Sequence, residues 1–236
     1  MTVYVSSIDD ERRELLRWTA SLGAITADAL ALRRGISQAS ARGRLAAACR
    51  RGQLTRSQPL NGRPALFTLT VKGAHSIGLI GLRRCQVADA TAGHSIECAW
   101  VAAALERCYP DRRVLGEREL RLIERDRGRA LASARLFGAC AESDRVHRPD
   151  LVLVSADRTM RPVAVEVELS VKAPRRLREI CRAWRRCREV AGVIYLVNSL
   201  TRAPVSRAVR DAGAQERIAV LTLDLLRGGV PSDVPA

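Results

Sequence analysis

The run Arg148-Pro149-Asp150-Leu151-Val152-Leu153-Val154, followed after a polar break by Val163-Ala164-Val165-Glu166-Val167-Glu168-Leu169-Ser170-Val171-Lys172, constrains the fold more than any other stretch of this chain. Both runs are apolar and β-branched, and the break from Ser155 to Pro162 is polar and ends in proline, so the pair reads as a β-hairpin. Side chains alternate faces along a strand. Glu166, Glu168, Ser170 and, if the strand runs on, Lys172 therefore share one face, with Val165, Val167, Leu169 and Val171 on the other. Asp150 stands at the start of the first strand. Acids grouped in this way have two readings. One is a solvated sheet face behind an ordinary Pro-Asp turn. The other is a divalent-metal site, because carboxylates on a covered face need water, partners or a cation.

Phosphodiester hydrolysis suits the second reading. Mg²⁺ takes one or two carboxylates, keeps several waters and lets a substrate phosphate complete its octahedron. Asp150 and Glu166 supply such ligands, and Glu168 is a third. Either Glu168 or Lys172 is then placed to polarise the attacking water or stabilise the developing charge. His147, three residues before Asp150, reads as a structural hydrogen-bonder or as a phosphate contact. The histidines His75, His94 and His147 show no metal-ligand spacing.

The residues that follow predict an α/β order. Ala173 to Val190 carries Pro174 near its first turn, and Leu177, Ile180, Cys181, Trp184 and Cys187 recur at helical spacing. The other side of that helix carries Arg175, Arg178, Arg182, Arg185 and Arg186, with Arg176 and Arg188 nearby. Val193 to Asn198 reads as a buried strand, Val205 to Ala212 as a short helix and Ile218 to Leu223 as a last strand. Upstream, Ser95 to Arg107 is helical in composition, and Arg113 to Leu120 is the expected first strand. The sum is an α-β-β-β-α-β mixed sheet, with residues 121–146 as an inserted helix and loop. Glu97 on the first helix and Glu117 on the first strand are additional candidate metal ligands.

The N-terminal third reads differently. Asp9 to Ser21 forms a first helix, Thr26 caps a second over Thr26 to Arg33, and Gly35 turns the chain into a third over Ser37 to Arg51. In the third, Leu45, Ala46 and Cys49 are expected inside. Arg42, Arg44, Arg50 and Arg51 are expected to reach phosphates or base edges. Gln53 to Ser57 and Ala65 to Thr70 flank an Asn61-Gly62 turn, a hairpin signal that places Arg56 and Arg63 on its arms. The implied domains are 1–80 for DNA binding, 81–93 as linker and 94–236 for the sheet.

These motifs carry three resemblances. Pro149-Asp150 followed by Glu166-x-Glu168 resembles the PD-(D/E)xK nuclease signature, with Glu168 where lysine is usual and Lys172 as a displaced substitute. Residues 9–80 resemble a winged helix-turn-helix. Together with Leu69-Thr70-x-x-Gly73, Gly116-Glu117-Arg118-Glu119 and His147-Arg148-Pro149-Asp150, most of the chain resembles the replication-relaxation family of plasmids and mobile elements. That resemblance implies a restriction-endonuclease-like domain behind a winged helix and a role in DNA replication, relaxation or mobilisation. It leaves two functions open: a Mg²⁺- or Mn²⁺-dependent DNA endonuclease, or a catalytically inactive nuclease-fold regulator that binds DNA.

Composition agrees with a nucleic-acid partner. The formal charge is +15, and Lys72 and Lys172 are the only lysines, so the cations are nearly all arginine, which suits bidentate phosphate contact and is explained equally well by the codon bias of a GC-rich genome. Arg175, Arg178, Arg182 and Arg185 extend the expected DNA contact into the second domain. Seven cysteines with no Cys-x-x-Cys pair argue against zinc and against a disulfide framework. No membrane-length apolar run is present, so the expectations are a cytoplasmic protein, no membrane and no small-molecule cofactor, with a homodimer as an option.

Overall fold

The structure is a computed structural model that describes residues 8–136, 145–155 and 160–227. The expected loose tail from Gly228 to Ala236, most of the hairpin loop, Gly138 and Cys140 lie outside the described residues. Contacts divide the chain into two compact units, residues 1–104 and 105–236.

The first unit begins with α1 (Ile8–Leu22), β1 (Ala24–Ile25), α2 (Ala27–Arg34) and α3 (Gln38–Arg50). Local signals set these boundaries. Thr26 Oγ1 accepts from the Ala29 amide at 3.1 Å, Gly35 closes α2 in the left-handed region at φ +62°, and Ser37 Oγ accepts from the Ser40 amide at 3.1 Å. In α3 the buried row is Ala41, Leu45 and Ala48, whereas Ala46 is exposed and Cys49 half-buried. The expected inward position of Ala46 is therefore corrected to Ala48. Spacing of four and three residues keeps 41, 45 and 48 on one stripe, which 46 leaves.

Next come β2 (Leu54–Ser57), β3 (Leu66–Leu69), α4 (Val71–Ser76) and α5 (Asp89–Cys108), whose last residues fall in the second unit. The strands form an antiparallel sheet of order β1-β3-β2. The Leu69-Thr70-x-x-Gly73 motif has a clear role. Thr70 Oγ1 caps α4 by accepting from the Gly73 amide at 3.0 Å and donates to Gly52 O at 2.6 Å. Gly73 lies so close to β2 that a Cβ there would stand 2.2 Å from Gln53 O.

The second unit holds β4 (Arg112–Gly116), α6 (Glu117–Arg127), β5 (Ala134–Leu136), β6 (Arg145–His147), β7 (Leu151–Ser155), β8 (Val163–Glu168), α7 (Pro174–Arg186), β9 (Gly192–Val197), α8 (Ser199–Asp211), β10 (Ile218–Thr222) and α9 (Leu223–Arg227). Five strands form one mixed sheet of order β10-β9-β8-β7-β4. The pairs β4–β7 and β7–β8 are antiparallel, and β8–β9 and β9–β10 are parallel. The chain is thus α/β with a five-stranded mixed sheet.

Three expected elements change. Within residues 121–146, expected as a helix and loop, β5 and β6 pair antiparallel as a two-stranded sheet. The strand expected over Arg113 to Leu120 stops at Gly116, and Glu117 opens α6, because Glu117 and Glu119 sit in its first turn where the helix dipole favours acids. The helix expected from Val205 begins at Ser199, where Asn198 and Thr201 form a capping box. Both faces of the central strands are buried. Leu115, Val152, Ala164, Val193, Tyr195 and Val197 share a core with α7 and α8, and Leu151, Leu153, Val163, Val165, Val167, Ile194 and Leu196 on the alternate positions are also buried. Glu166 and Glu168 continue the Ala164 face.

Candidate functional site

The hairpin brings the three candidate acids to one end of β8. Leu151 pairs with Val165, so one further step of the antiparallel register sets Asp150 opposite Glu166. Asp150 Oδ2 accepts from the Val167 amide at 2.8 Å, and its carbonyl accepts from the Glu117 amide at 3.1 Å. The acid is thereby fixed between β8 and the start of α6. Glu166 and Glu168 are each 3 % exposed.

Burial at that level requires partners, and the structure supplies them. Glu166 Oε1 lies 2.6 Å from His147 Nε2 and accepts from Trp184 Nε1 at 3.0 Å. His147 and Trp184 meet edge to face, with centroids 5.7 Å apart. Lys172 Nζ donates to Glu168 Oε2, so the displaced lysine reaches the acid although β8 has already ended. At the same strand end, Thr201 Oγ1 donates to Glu168 O at 2.7 Å and Asn198 Nδ2 to Leu169 O at 2.9 Å. The first turn of α8 therefore holds the exit of β8.

The charges act on one another. Burial pushes the Glu168 carboxyl above its usual value. Lys172 opposes that rise without cancelling it, and Glu166 and Asp150 add to it. Burial, with Glu166 next in importance, pushes the Cys181 thiol up to about 12, and the same two causes raise Tyr195 well above the ordinary phenol. Two neighbours of the acids are thus held in their neutral, protonated forms at pH 7.

A pH dependence follows. Glu168 binds its proton more tightly folded than unfolded, where its value is near 4.5. Its contribution therefore weakens the fold as pH rises from 4.5 through the raised folded value and is constant above it. Lys172→Met removes the opposing charge and is expected to move the Glu168 titration further up. A ¹³C titration of the glutamate side chains reads this directly, and an unchanged Glu168 curve would show that Lys172 does not control it.

The donor set suits a hard cation only in a limited way. Among the described residues no hydrogen-bond donor meets Glu166 Oε2 or Glu168 Oε1, so each carboxylate keeps one oxygen for a further ligand. The oxygens of Asp150, Glu166 and Glu168 do not all come within 4.8 Å of one another. The arrangement fits Mg²⁺ or Mn²⁺ held by one or two carboxylates and water, not by a three-carboxylate cage. The Glu117 carboxylate pairs with Arg121 on α6 at 2.5 Å, and Glu97 lies half-buried on the part of α5 in the first unit.

The expected DNA-contacting arginines separate into two groups. Arg42, Arg50, Arg56 and Arg63 are exposed, with Arg42 donating to Gln38 Oε1 at 3.1 Å and Arg56 to Gln58 Oε1 at 2.9 Å, whereas the half-buried Arg44 pairs with Glu11 at 2.8 Å and the half-buried Arg51 donates from Nε to Gln53 Oε1 at 2.9 Å. On α7, Arg175 pairs with Glu179 at 3.5 Å, Arg178 is half-buried, and Arg182 and Arg185 are exposed.

Sequence reasoning missed two groups that position the acids. Trp184 was placed in the core by its spacing, yet its indole N–H ends on Glu166. Glu124, 6 % exposed, accepts from the Leu131 and Ala132 amides, from Ser133 Oγ and from Arg148 Nε, which ties α6 and the start of β5 to the Arg148-Pro149-Asp150 run. A glutamate followed by a turn and a lone arginine before Pro-Asp gave no periodic signal. No helix among the described residues is long and apolar enough to cross a membrane. No protein-family model matches the chain, and no curated protein does either.

Proposed function

We propose that the chain is a DNA-binding protein whose second unit cleaves phosphodiester bonds with a divalent cation, a PD-(D/E)xK-like nuclease behind a winged helix. The observation that carries this reading is the meeting of Lys172 with Glu168 beside Asp150 and Glu166. An acid, an acid pair and a lysine then lie together despite the shifted lysine. The order helix, strand, helix, helix, hairpin in the first unit supports a winged helix, with exposed Arg42, Arg50, Arg56 and Arg63 available to phosphates. The mixed sheet, with its first three strands antiparallel and a crossover helix to the fourth, supports a nuclease-like core. The family resemblance points to DNA of plasmids or mobile elements in replication, relaxation or mobilisation.

In this reading Asp150 and the oxygens of Glu166 and Glu168 that meet no donor among the described residues would hold Mg²⁺ or Mn²⁺. The bound cation neutralises phosphate charge and lowers the pKa of a water. Lys172 offers its ammonium to a phosphate oxygen or, through Glu168, helps orient the attacking water. His147 and Trp184 fix the Glu166 carboxylate by its other oxygen, so that its orientation does not depend on the ligand. One observation favours a second reading, a DNA-binding regulator without turnover: two protein donors already hold one oxygen of the buried Glu166, as a purely structural carboxylate would be held.

Cleavage of supercoiled plasmid in Mg²⁺, Mn²⁺ or EDTA separates the two. The nuclease reading expects metal-dependent nicking or linearisation, reduced at least a hundredfold in Glu166→Gln/Glu168→Gln, a change about the size of losing an electrostatic stabiliser. DNA binding without cleavage under any of these metals would establish the regulator.

A further inference from the structure

The Arg-rich side of α7 ends in a hollow of about 590 Å³ lined by Arg182, Arg185, Arg186 and Arg188 alone. All four are exposed. Arg185 is steadied by donating to Ala212 O at 3.2 Å, and Arg161 adds its guanidinium alongside by donating to Arg188 O at 3.3 Å. The neighbouring acid, Glu189, accepts from Cys187 Sγ at 3.3 Å and does not line the hollow. One or two cations at a helix C-terminus are explained by the macrodipole. Four guanidinium groups around one open space exceed that need, and their mutual repulsion is relieved by an anion of several charges.

Topology places this hollow at the end of β8 opposite Glu168. The parallel strands β8 and β9 are joined by α7, so α7 runs back along the sheet and its C-terminal end returns to the start of β8. The Ala191 amide donates to Pro162 O at 2.8 Å there, as Arg161 meets Arg188. Glu168 is at the opposite end of β8, five residues from Val163 and so about 17 Å away at ~3.3 Å per residue, whereas Glu166 is nearer, at about 10 Å. Trp184, the α7 residue that meets Glu166, is buried on the inner side of the helix, whereas Arg182, Arg185 and Arg186 are exposed, so a phosphate in the hollow lies across α7 from the acids and is not the phosphate at the acids.

We propose that the hollow is a second phosphate-binding site that holds the backbone of duplex DNA away from the acidic cluster, setting affinity and not chemistry. It rests on the reading of the chain as a DNA-binding protein. The row Arg175, Arg178, Arg182, Arg185 leads along α7 into the hollow at neighbouring-turn spacing, which suits a backbone with regularly spaced phosphates better than a single small anion.

The test is the salt dependence of binding of a labelled DNA duplex to the full-length protein and to Arg182→Gln/Arg186→Gln/Arg188→Gln. Arg185 is retained because it also holds Ala212. The three side chains are exposed, so the variant is expected to keep the wild-type far-UV circular dichroism. The plot of log K against log salt is expected to become shallower by about 2–3, since each lost phosphate contact removes ~0.9 from the slope. Where cleavage is measurable, KM should rise with kcat unchanged. An unchanged slope in the variant, with wild-type DNA binding intact, overturns this site alone. Absence of salt-sensitive DNA binding in the wild type overturns the functional reading itself. Pyrophosphate inhibition that the variant loses while its DNA slope stays unchanged would reassign the hollow to a free anion and overturn the DNA assignment.

Discussion

Glu166→Ala is expected to destabilise the second unit by about 2–4 kcal/mol, because His147 Nε2 and Trp184 Nε1 both end on this carboxylate and each buried donor left unmet costs ~1–3 kcal/mol. Thermal unfolding should show a midpoint lower by roughly 10 °C for that unit. Glu166→Gln keeps an acceptor oxygen in the same place and should lose much less. The contrast separates the structural part of Glu166 from its charge, which is why the glutamine variant is the informative one for cleavage. Equal stabilities of the alanine and wild-type proteins would mean that neither donor depends on Glu166.

Gly73→Ala is the second large effect, and it falls in the first unit. The added methyl would stand 2.2 Å from Gln53 O, 2.9 Å from Leu69 Cδ1 and 3.0 Å from Gln53 C. Backbone atoms cannot rotate away as a flexible side-chain end can. Gln53 O also receives the Thr70 amide and hydroxyl, so relief of the clash pulls α4 from β2. A loss of about 3 kcal/mol, at the upper end of overpacking effects, is expected. Gly43→Ala is the matched control. It lies in α3 with nothing within 4 Å of its new Cβ and should stabilise by roughly 0.5–1 kcal/mol. Two glycine-to-alanine changes of opposite sign in one unit are read in a single set of melting curves. A Gly73→Ala protein as stable as wild type would show that α4 and β2 are not in firm contact.

The sequence made the hairpin legible because two signals agreed: β-branched apolar runs on both sides of a polar break ending in proline, and alternation that put Glu166 and Glu168 on one face. α7 was legible from Leu177, Ile180, Cys181 and Trp184, all of which are buried. Periodicity failed where elements are short or composition is uniform. The three-residue strands β5 and β6 have no measurable period, and the alanines at 46, 47 and 48 in α3 look alike until a backbone assigns them faces. The change from β4 to α6 at Gly116 was masked by one apolar residue, Leu120, that fits either period. Its acid-rich first turn was the signal to read. At the site, alternation put the two glutamates together, but nothing local could foretell that His147 and Trp184, 19 and 18 residues from Glu166, would converge on one oxygen. Lys172 reached Glu168 through a loop, not through the strand spacing that suggested it.

The many bonds of Glu124 bear on how divisible the second unit is. A segment inserted between neighbouring strands is commonly the part of a domain that tolerates shortening. Here one carboxylate gathers the turn after α6, the start of β5 and the arginine that precedes Pro149-Asp150. The segment works as a keystone: cutting out residues 121–136 would release the strand that presents Asp150, even though none of those residues lies in the hairpin. A minimal fragment that keeps Asp150 in place would therefore have to keep this apparent insertion.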